Sequence, residues 1–462
     1  MQISQDRITR LFLRQITIGV FATLLVCQSG GVLRAQEKTD QPVCEGDLAE
    51  QIKSRVDAAA KDAGFSGAVL VAKDGEVILA HAAGQQDNSA KDELQTTTLF
   101  EIASCTKSFT GVAAVLLQQQ GRLNLDDSIA EHLPGVPDHC KSITVRHLLQ
   151  HTSGIPGDTY GPRTSDASAA VAAFLRNAPK SRPGTKHEYW NQGYALLSEV
   201  IASASGKSFA DFCKEEIFAP VKMTSSRFNG DDAPADRQVA VGKSLQGPKR
   251  SALSHPYSDS YDFSYRAMGG MVTNVWDINR FFNVLDGESL LTKESIVEMT
   301  TIGKSDYALG WKIQGKDDDL AWWHSGGVRG FVSVMKYFPN TKSHYIILTN
   351  SDDGRAVWPL AQYFDQALKG QLLGPIDGEM LAKISGTYVA GRRSFTIPDT
   401  AETLTGEFHW GGPVTRGPLG MMGDGKVGFF DGDKNYPVEF EFGEDGKATR
   451  CTVFDTELTR RK

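Results

Sequence analysis

The sequence is poor in cysteine. It has six in 462 residues, widely and irregularly spaced, which excludes a disulfide framework or a zinc-binding cysteine pattern. It has no long run of lysine and arginine, and its formal net charge is −7; both argue against nucleic acid as a partner. No apolar run is long enough to cross a bilayer comfortably. There is no Gly-x-Ser-x-Gly, no P-loop and no dinucleotide-binding glycine fingerprint. His147 and His151 stand four apart, but the glutamate of a His-Glu-x-x-His metal site is missing. The sequence therefore calls for no metal and no cofactor. It shows no internal repeat and no low-complexity tract.

What is present is a chain 40% hydrophobic, ample for a large core divided over two or three domains. Residues 1–35 read as a signal peptide. Arg7, Arg10 and Arg14 form a basic start, Ile16 to Val26 an apolar core, and the chain offers a cut after Ala35. The expectation is a secreted or periplasmic protein with no membrane span in the mature chain. Cys27 is a poor match to a lipid-anchoring site. The five cysteines that remain (Cys44, Cys105, Cys140, Cys213, Cys451) are odd in number, so they cannot all pair internally, and Cys105, beside Ser104, reads as buried packing.

Residues 45–370 read as one mixed unit. "DLAEQIKSRVDAAAKDA" has the apolar spacing of an amphipathic helix. Two strands follow, joined at Asp74-Gly75, a hairpin signal. The middle is mostly helical, and three closely spaced strands return around "AWWHSGG", "GFVSVMKYFP" and "HYIILTN". Strands at both ends of a helical middle predict an antiparallel sheet flanked by helices, an α/β (α+β) fold with a largely helical subdomain. After a linker, residues 378–462 alternate in short stretches divided by Gly and Asp turns, which predicts a small all-β domain, barrel or sandwich.

Chemistry is suggested first by "EIASCTKSFTG", where Ser104 precedes Lys107 by three. A chain of this length holds roughly two Ser-x-x-Lys pairs by chance, and a second exists, Ser333 and Lys336. That one lies in an alternating strand pattern, so its side chains point to opposite faces. The first opens a nearly all-round apolar stretch ending at Gly121, the pattern of a buried helix. There Lys107 stands one turn above Ser104, near a helix N-terminus that favours an oxyanion. Burial lowers a lysine's pKa and makes it a base.

Acyl transfer also needs a second proton carrier and donors for the oxyanion. Tyr189-Trp190-Asn191 is the one Tyr-x-Asn in the chain. A tyrosine beside a lysine ammonium has its pKa lowered and can shuttle a proton; the bland alternative is a surface tyrosine and a helix-capping asparagine. His324-Ser325-Gly326-Gly327 sits at a strand end, where the Gly327 N–H, with that of Ser104, could hold an oxyanion. Alone, it is equally a polar turn. Trp190, Trp322 and Trp323 flank these motifs as pocket lining or core.

In order and content the three stretches resemble the serine β-lactamase and penicillin-binding-protein-like superfamily, above all its branch of class C β-lactamases, D-aminopeptidases and esterases. Ser104-Cys-Thr-Lys107 matches the Ser-x-x-Lys, Tyr189-Trp-Asn191 the Tyr-x-Asn, and His324-Ser325-Gly326 the third motif. The resemblance implies that Ser104 is the nucleophile with Lys107 bonded to it. It makes Tyr189 the base for acylation and the acid to the leaving group, and gives Asn191 the substrate amide. His324 stands where many members carry lysine. A histidine is only partly charged at neutral pH and attracts a substrate carboxylate less firmly, which favours neutral esters or amides over β-lactams. Segments 157–166 and 254–266 are the expected rims.

Two functions compete at this point. One is an exported serine hydrolase forming a covalent acyl-enzyme with a small-molecule or peptide substrate (an ester, a D-amino-acid peptide or a β-lactam). The other is a penicillin-binding sensor or scaffold that acylates without efficient turnover. The complete set Ser104, Lys107, Tyr189 and His324 favours catalysis, since a vestigial site is free to lose a member. Nothing in the sequence fixes the oligomeric state.

Overall fold

The computed structural model describes residues 40–461 apart from 88–91, 160–163, 165, 246, 258–264, 286–288, 375, 400–404, 423–425 and 431–434. The expected signal peptide, and part of each expected rim, lie outside the described residues. A short strand β1 (Val43–Cys44) and helix α1 (Asp47–Ala63) come first. Asp74 and Gly75 then join β2 (Gly67–Lys73) to β3 (Glu76–Ala83). Both have positive φ, 52° and 86°, as a two-residue turn matching the strands' twist requires.

The later strands are β4 (Lys312–Gln314), β5 (Ala321–Val328), β6 (Phe331–Phe338) and β7 (Ser343–Thr349). All seven form one antiparallel sheet in the order β1-β3-β2-β7-β6-β5-β4. β2 and β7 pair directly, so the two ends of the unit meet at the centre of the sheet. Alternation then assigns the faces. Met335 and Tyr337 of β6 enter the core on one face with α2 (Thr106–Gln119), α3 (Asn191–Ser205) and α4 (Val275–Leu285). Val334 and Phe338 enter the core on the other, under α1 and α5 (Val357–Leu368).

That alternation settles the second Ser-x-x-Lys pair. Ser333 Oγ donates to the Ile102 carbonyl at 2.7 Å on the front face, while Lys336 Nζ meets Asp365 at 2.8 Å on the back. The C-terminal strands, from Gly386–Ala390 to Thr456–Arg460, close on themselves: the last pairs with the first at Tyr388↔Arg460 and Val389↔Thr459. The domain is a closed eight-stranded antiparallel barrel rather than a sandwich. Tyr388, Phe395, Phe408 and Phe429 are buried together in its core. Among the described residues no helix is long and apolar enough to cross a membrane, and the five cysteines are free.

Candidate active site

Ser104 lies in a single 3-10 turn, Ala103–Cys105, that runs straight into α2. Its entry is strained. Ala103 has φ 46°, a left-handed conformation that costs a residue with a Cβ about 1 kcal/mol or more. The strain is held in place from both sides. Upstream, Phe100–Glu101 pairs with Met271–Thr273. Glu101, fully buried, takes an ion pair from Arg250 and a hydrogen bond from Tyr265. Downstream, α2 is buried on every side from Thr106 to Leu117.

Lys107 Nζ lies 3.1 Å from Ser104 Oγ and donates to the Met268 carbonyl at 2.8 Å. Among the described residues no carboxylate pairs with it, and it is fully buried. Desolvation pulls its pKa down from 10.5 to about 7, so the neutral amine is populated near pH 7. Tyr189 is hydrogen-bonded to the Ser104 side chain. Its ring sits 5.1 Å from Lys107 Nζ. The expectation of an acidified tyrosine is reversed here: burial pushes the Tyr189 phenol above its ordinary 10. Lys107 has itself lost much of its charge, so there is no lasting ammonium to stabilise a phenolate.

Asn191 begins α3, but the capping position is Trp190, so the helix-cap alternative for Asn191 does not hold. Trp190 is core: its indole donates to the Thr159 carbonyl at 3.0 Å. Trp322 is core too, on the front face, whereas Trp323 is turned to the back of the sheet.

β5 brings the third motif alongside. β4 pairs with it only from Ala321 to Trp323, which leaves the outer edge open from His324 onward. Gly326 packs against the Ser104 turn: a Cβ there would lie 2.2 Å from the Ile102 carbonyl oxygen and 2.9 Å from Ser104 N. Only glycine allows that approach. Gly327 pairs with Val332. Both backbone polar groups of Val332 are engaged by Thr349 Oγ1 of β7 (N–H donated at 3.2 Å, carbonyl accepting at 3.1 Å). Val332 therefore faces away from β5, the pair is a non-hydrogen-bonded one, and the Gly327 N–H points to the open edge beside Ser104. Ser325 alternates onto the same back face as Trp323 and Gly327, opposite Val334 and away from the face that His324 occupies.

His324 is not a surface cation. It is buried, with Nε2 2.9 Å from the Tyr307 hydroxyl and Nδ1 2.7 Å from the Ser325 carbonyl. Desolvation, then repulsion from Lys107, lowers its pKa to about 3. His151 is a second neutral imidazole. Its Nδ1 accepts the Trp190 N–H at 3.1 Å, its ring lies 4.1 Å from that of Tyr189, and burial holds its pKa well below 6.5. His147 instead caps its own helix through Thr144. Thus the two histidines do not converge, and among the described residues no group of three metal-ligating side chains exists. Cys105 packs under the sheet, 3.3 Å from Ser333 Oγ, with its thiol pushed up to about 12 by burial.

Four contributors escaped sequence reading: Tyr307, His151, the Met268 carbonyl and Glu101. Tyr307, His151 and Met268 carry no spacing signal relative to Ser104, and only the folded chain brings them there; Glu101 stands three residues before Ser104, but its partners Arg250 and Tyr265 come from far along the chain.

The Beta-lactamase family model matches residues 52–367. The chain belongs to the beta-lactamase family. That family's serine hydrolase and penicillin-binding relatives extend the likeness. Penicillin-binding protein 4* of Bacillus subtilis (strain 168) is 30% identical over 412 residues, covering 82% of this chain and 91% of that one. The octameric penicillin-binding protein homologue from Pyrococcus abyssi shares the fold with a TM-score of 0.61 at 24% identity, over 89% of this chain and 99% of that one. The D-amino acid amidase from Ochrobactrum anthropi SV3, complexed with L-phenylalanine amide, has a TM-score of 0.58 at 26% identity, over 70% and 98%. The protein is a serine hydrolase of this beta-lactamase-like superfamily, and acyl transfer is the reaction class that fits.

Proposed function

We propose that the protein hydrolyses small neutral amides or esters, D-amino-acid amides foremost, through an acyl-enzyme on Ser104. The observation that carries this reading is the contact of Lys107 Nζ with Ser104 Oγ at 3.1 Å, made by a lysine whose pKa burial has brought to about 7. A neutral amine there takes the serine proton as Oγ attacks the carbonyl. The Ser104 and Gly327 N–H groups receive the resulting oxyanion. Tyr189, kept protonated by burial, passes a proton to the leaving amine or alcohol. This gives Lys107 rather than Tyr189 the first deprotonation. Water then attacks the ester, with Lys107 and Tyr189 in reversed roles, and Asn191 positions the acyl group.

The substrate class follows from His324. Many family members are expected to hold a cation there. Here the imidazole is neutral, buried and spent on Tyr307, so it offers no charge to a substrate carboxylate. β-Lactams and free peptide C-termini carry that carboxylate; amides and esters do not. Support comes from the amidase at 26% identity. The test is a matched pair, D-phenylalanine amide against a D-Phe-D-Phe dipeptide with a free C-terminus. The reading expects kcat/KM for the amide to exceed that for the dipeptide by tenfold or more, about 1.4 kcal/mol of transition-state preference. Equal or reversed values would sink it. Export through residues 1–35 is part of the same proposal, tested by N-terminal sequencing of protein recovered outside the cytoplasm.

A further inference from the structure

Tyr189 sits in a stretch with no regular structure of its own, residues 186–190, which leads into α3. An irregular segment has many conformations, and proton transfer at Ser104 needs one of them. His151 meets this segment from outside. It lies in the turn after the short helix Val145–Leu149. Its carbonyl accepts the Glu188 N–H at 2.8 Å, and its Nδ1 accepts the Trp190 N–H at 3.1 Å. Those are the residues immediately before and after Tyr189. The imidazole also lies against the Tyr189 ring, with 4.1 Å between the ring centres.

The imidazole is itself held. The rings of Tyr307 and Tyr194 lie 4.8 and 4.9 Å from it, and all three side chains are buried. The Tyr194 hydroxyl donates to the Leu149 carbonyl at 2.6 Å, which ties α3 to the helix that runs into His151. The arrangement comes at a cost. His151 has φ 55°, a left-handed conformation that histidine enters more readily than most residues but still unfavourably. With Nδ1 accepting, the ring proton is on Nε2, which is buried with no partner among the described residues. A strained backbone and an unsatisfied buried donor both weaken a fold, so packing alone does not account for a histidine at this position.

The geometry points to His151 as the residue that positions Tyr189, setting its hydroxyl on Ser104 so that it can protonate the leaving group. The inference rests on the acyl-enzyme reading above. His151 bonds to neither Ser104 nor Lys107 and acts through Tyr189. Its effect is therefore selective. As the tetrahedral intermediate collapses, the bond to the leaving oxygen breaks and its electron pair goes to that oxygen. Methoxide must take the Tyr189 proton at that moment, whereas nitrophenolate leaves as a stable anion without one. A displaced Tyr189 harms a methyl ester far more than a nitrophenyl ester of the same acid.

The test is kcat/KM for methyl butyrate and for nitrophenyl butyrate in wild type, Tyr189→Phe, His151→Gly, His151→Asn and the double variant Tyr189→Phe/His151→Gly. The ratio of the two values cancels the folded fraction of each preparation. Glycine suits the φ of 55°, keeps the carbonyl contact and removes the side chain. Asparagine tolerates the same backbone, and its Oδ1 can accept the Trp190 N–H. Tyr189→Phe should lower the methyl-to-nitrophenyl ratio about a hundredfold, and His151→Gly about tenfold or more. His151→Asn should return it to within about threefold of wild type, and the double variant should match Tyr189→Phe alone. An unchanged ratio in His151→Gly beside a lowered one in Tyr189→Phe would overturn the proposal and leave the acyl-enzyme reading standing. So would losses that add in the double variant, or a ratio in His151→Asn no better than in His151→Gly. An unchanged ratio in Tyr189→Phe would overturn the role given to Tyr189, and this proposal with it.

Discussion

If a neutral Lys107 takes the serine proton, kcat/KM must fall as that amine is protonated. The buried lysine's pKa drops from 10.5 to about 7. At about 1.36 kcal/mol per unit this makes charging it in the fold roughly 5 kcal/mol harder than in water. The profile should therefore be flat above pH 8 and bend near 7. It should reach about a tenth of its plateau at pH 6 and about a hundredth at pH 5. His324, at about 3, and His151, held well below 6.5, cannot supply this limb. No alkaline limb should appear below pH 10, because burial raises Tyr189. The assay is kcat/KM for a short-chain nitrophenyl ester, which carries no amine of its own to titrate near 7, from pH 5 to 10. Lys107→Arg, a group that never deprotonates, should lose activity at every pH. A flat profile from pH 5 to 8, or an active Lys107→Arg enzyme, would refute the reasoning. The sign for stability is the same. Between about 7 and 10.5 the unfolded lysine binds a proton that the folded one refuses, so this group's contribution is full above 10.5 and is lost as pH falls to 7.

Other outcomes follow from particular contacts. Gly326→Ala should cut kcat at least about a hundredfold and lower Tm, since its Cβ would meet the Ile102 carbonyl and Ser104 N; unchanged kinetics would mean that β5 does not abut the nucleophile. Glu101→Gln should destabilise by about 3–5 kcal/mol in urea unfolding, leaving Arg250 buried without its counter-ion. Ala103→Gly should stabilise or be neutral, because the φ of 46° suits glycine; a loss above about 1 kcal/mol would count against strain at that residue.

The elements that could be read from the chain were those with a local cause. Asp74-Gly75 announced its hairpin through backbone preference, and Ser333 and Lys336 were separated by strand alternation. Ser104 and Lys107 were joined by helical spacing alone. What the text hid was non-local. Tyr307 reaches His324 from 17 residues away and Arg250 reaches Glu101 from 149, and no periodicity encodes such pairs. The charge states were hidden for the same reason. Desolvation depends on what covers a group, so a histidine expected to be partly charged is neutral, and a tyrosine expected to be acidified is the opposite. The choice of barrel over sandwich rested on whether the last strand meets the first, which strand patterns do not specify.

The central claim is that Ser104 carries a covalent acyl group during turnover. It is tested most directly by rapid-quench intact mass spectrometry with a short-chain nitrophenyl ester, wild type beside Ser104→Ala. The account predicts a stoichiometric adduct of the acyl mass on the wild type, mapped to the Ser104 peptide, formed with a burst of nitrophenol and then cleared, and no adduct on the mutant. Turnover without an adduct on Ser104, or an equal rate in the mutant, would contradict it.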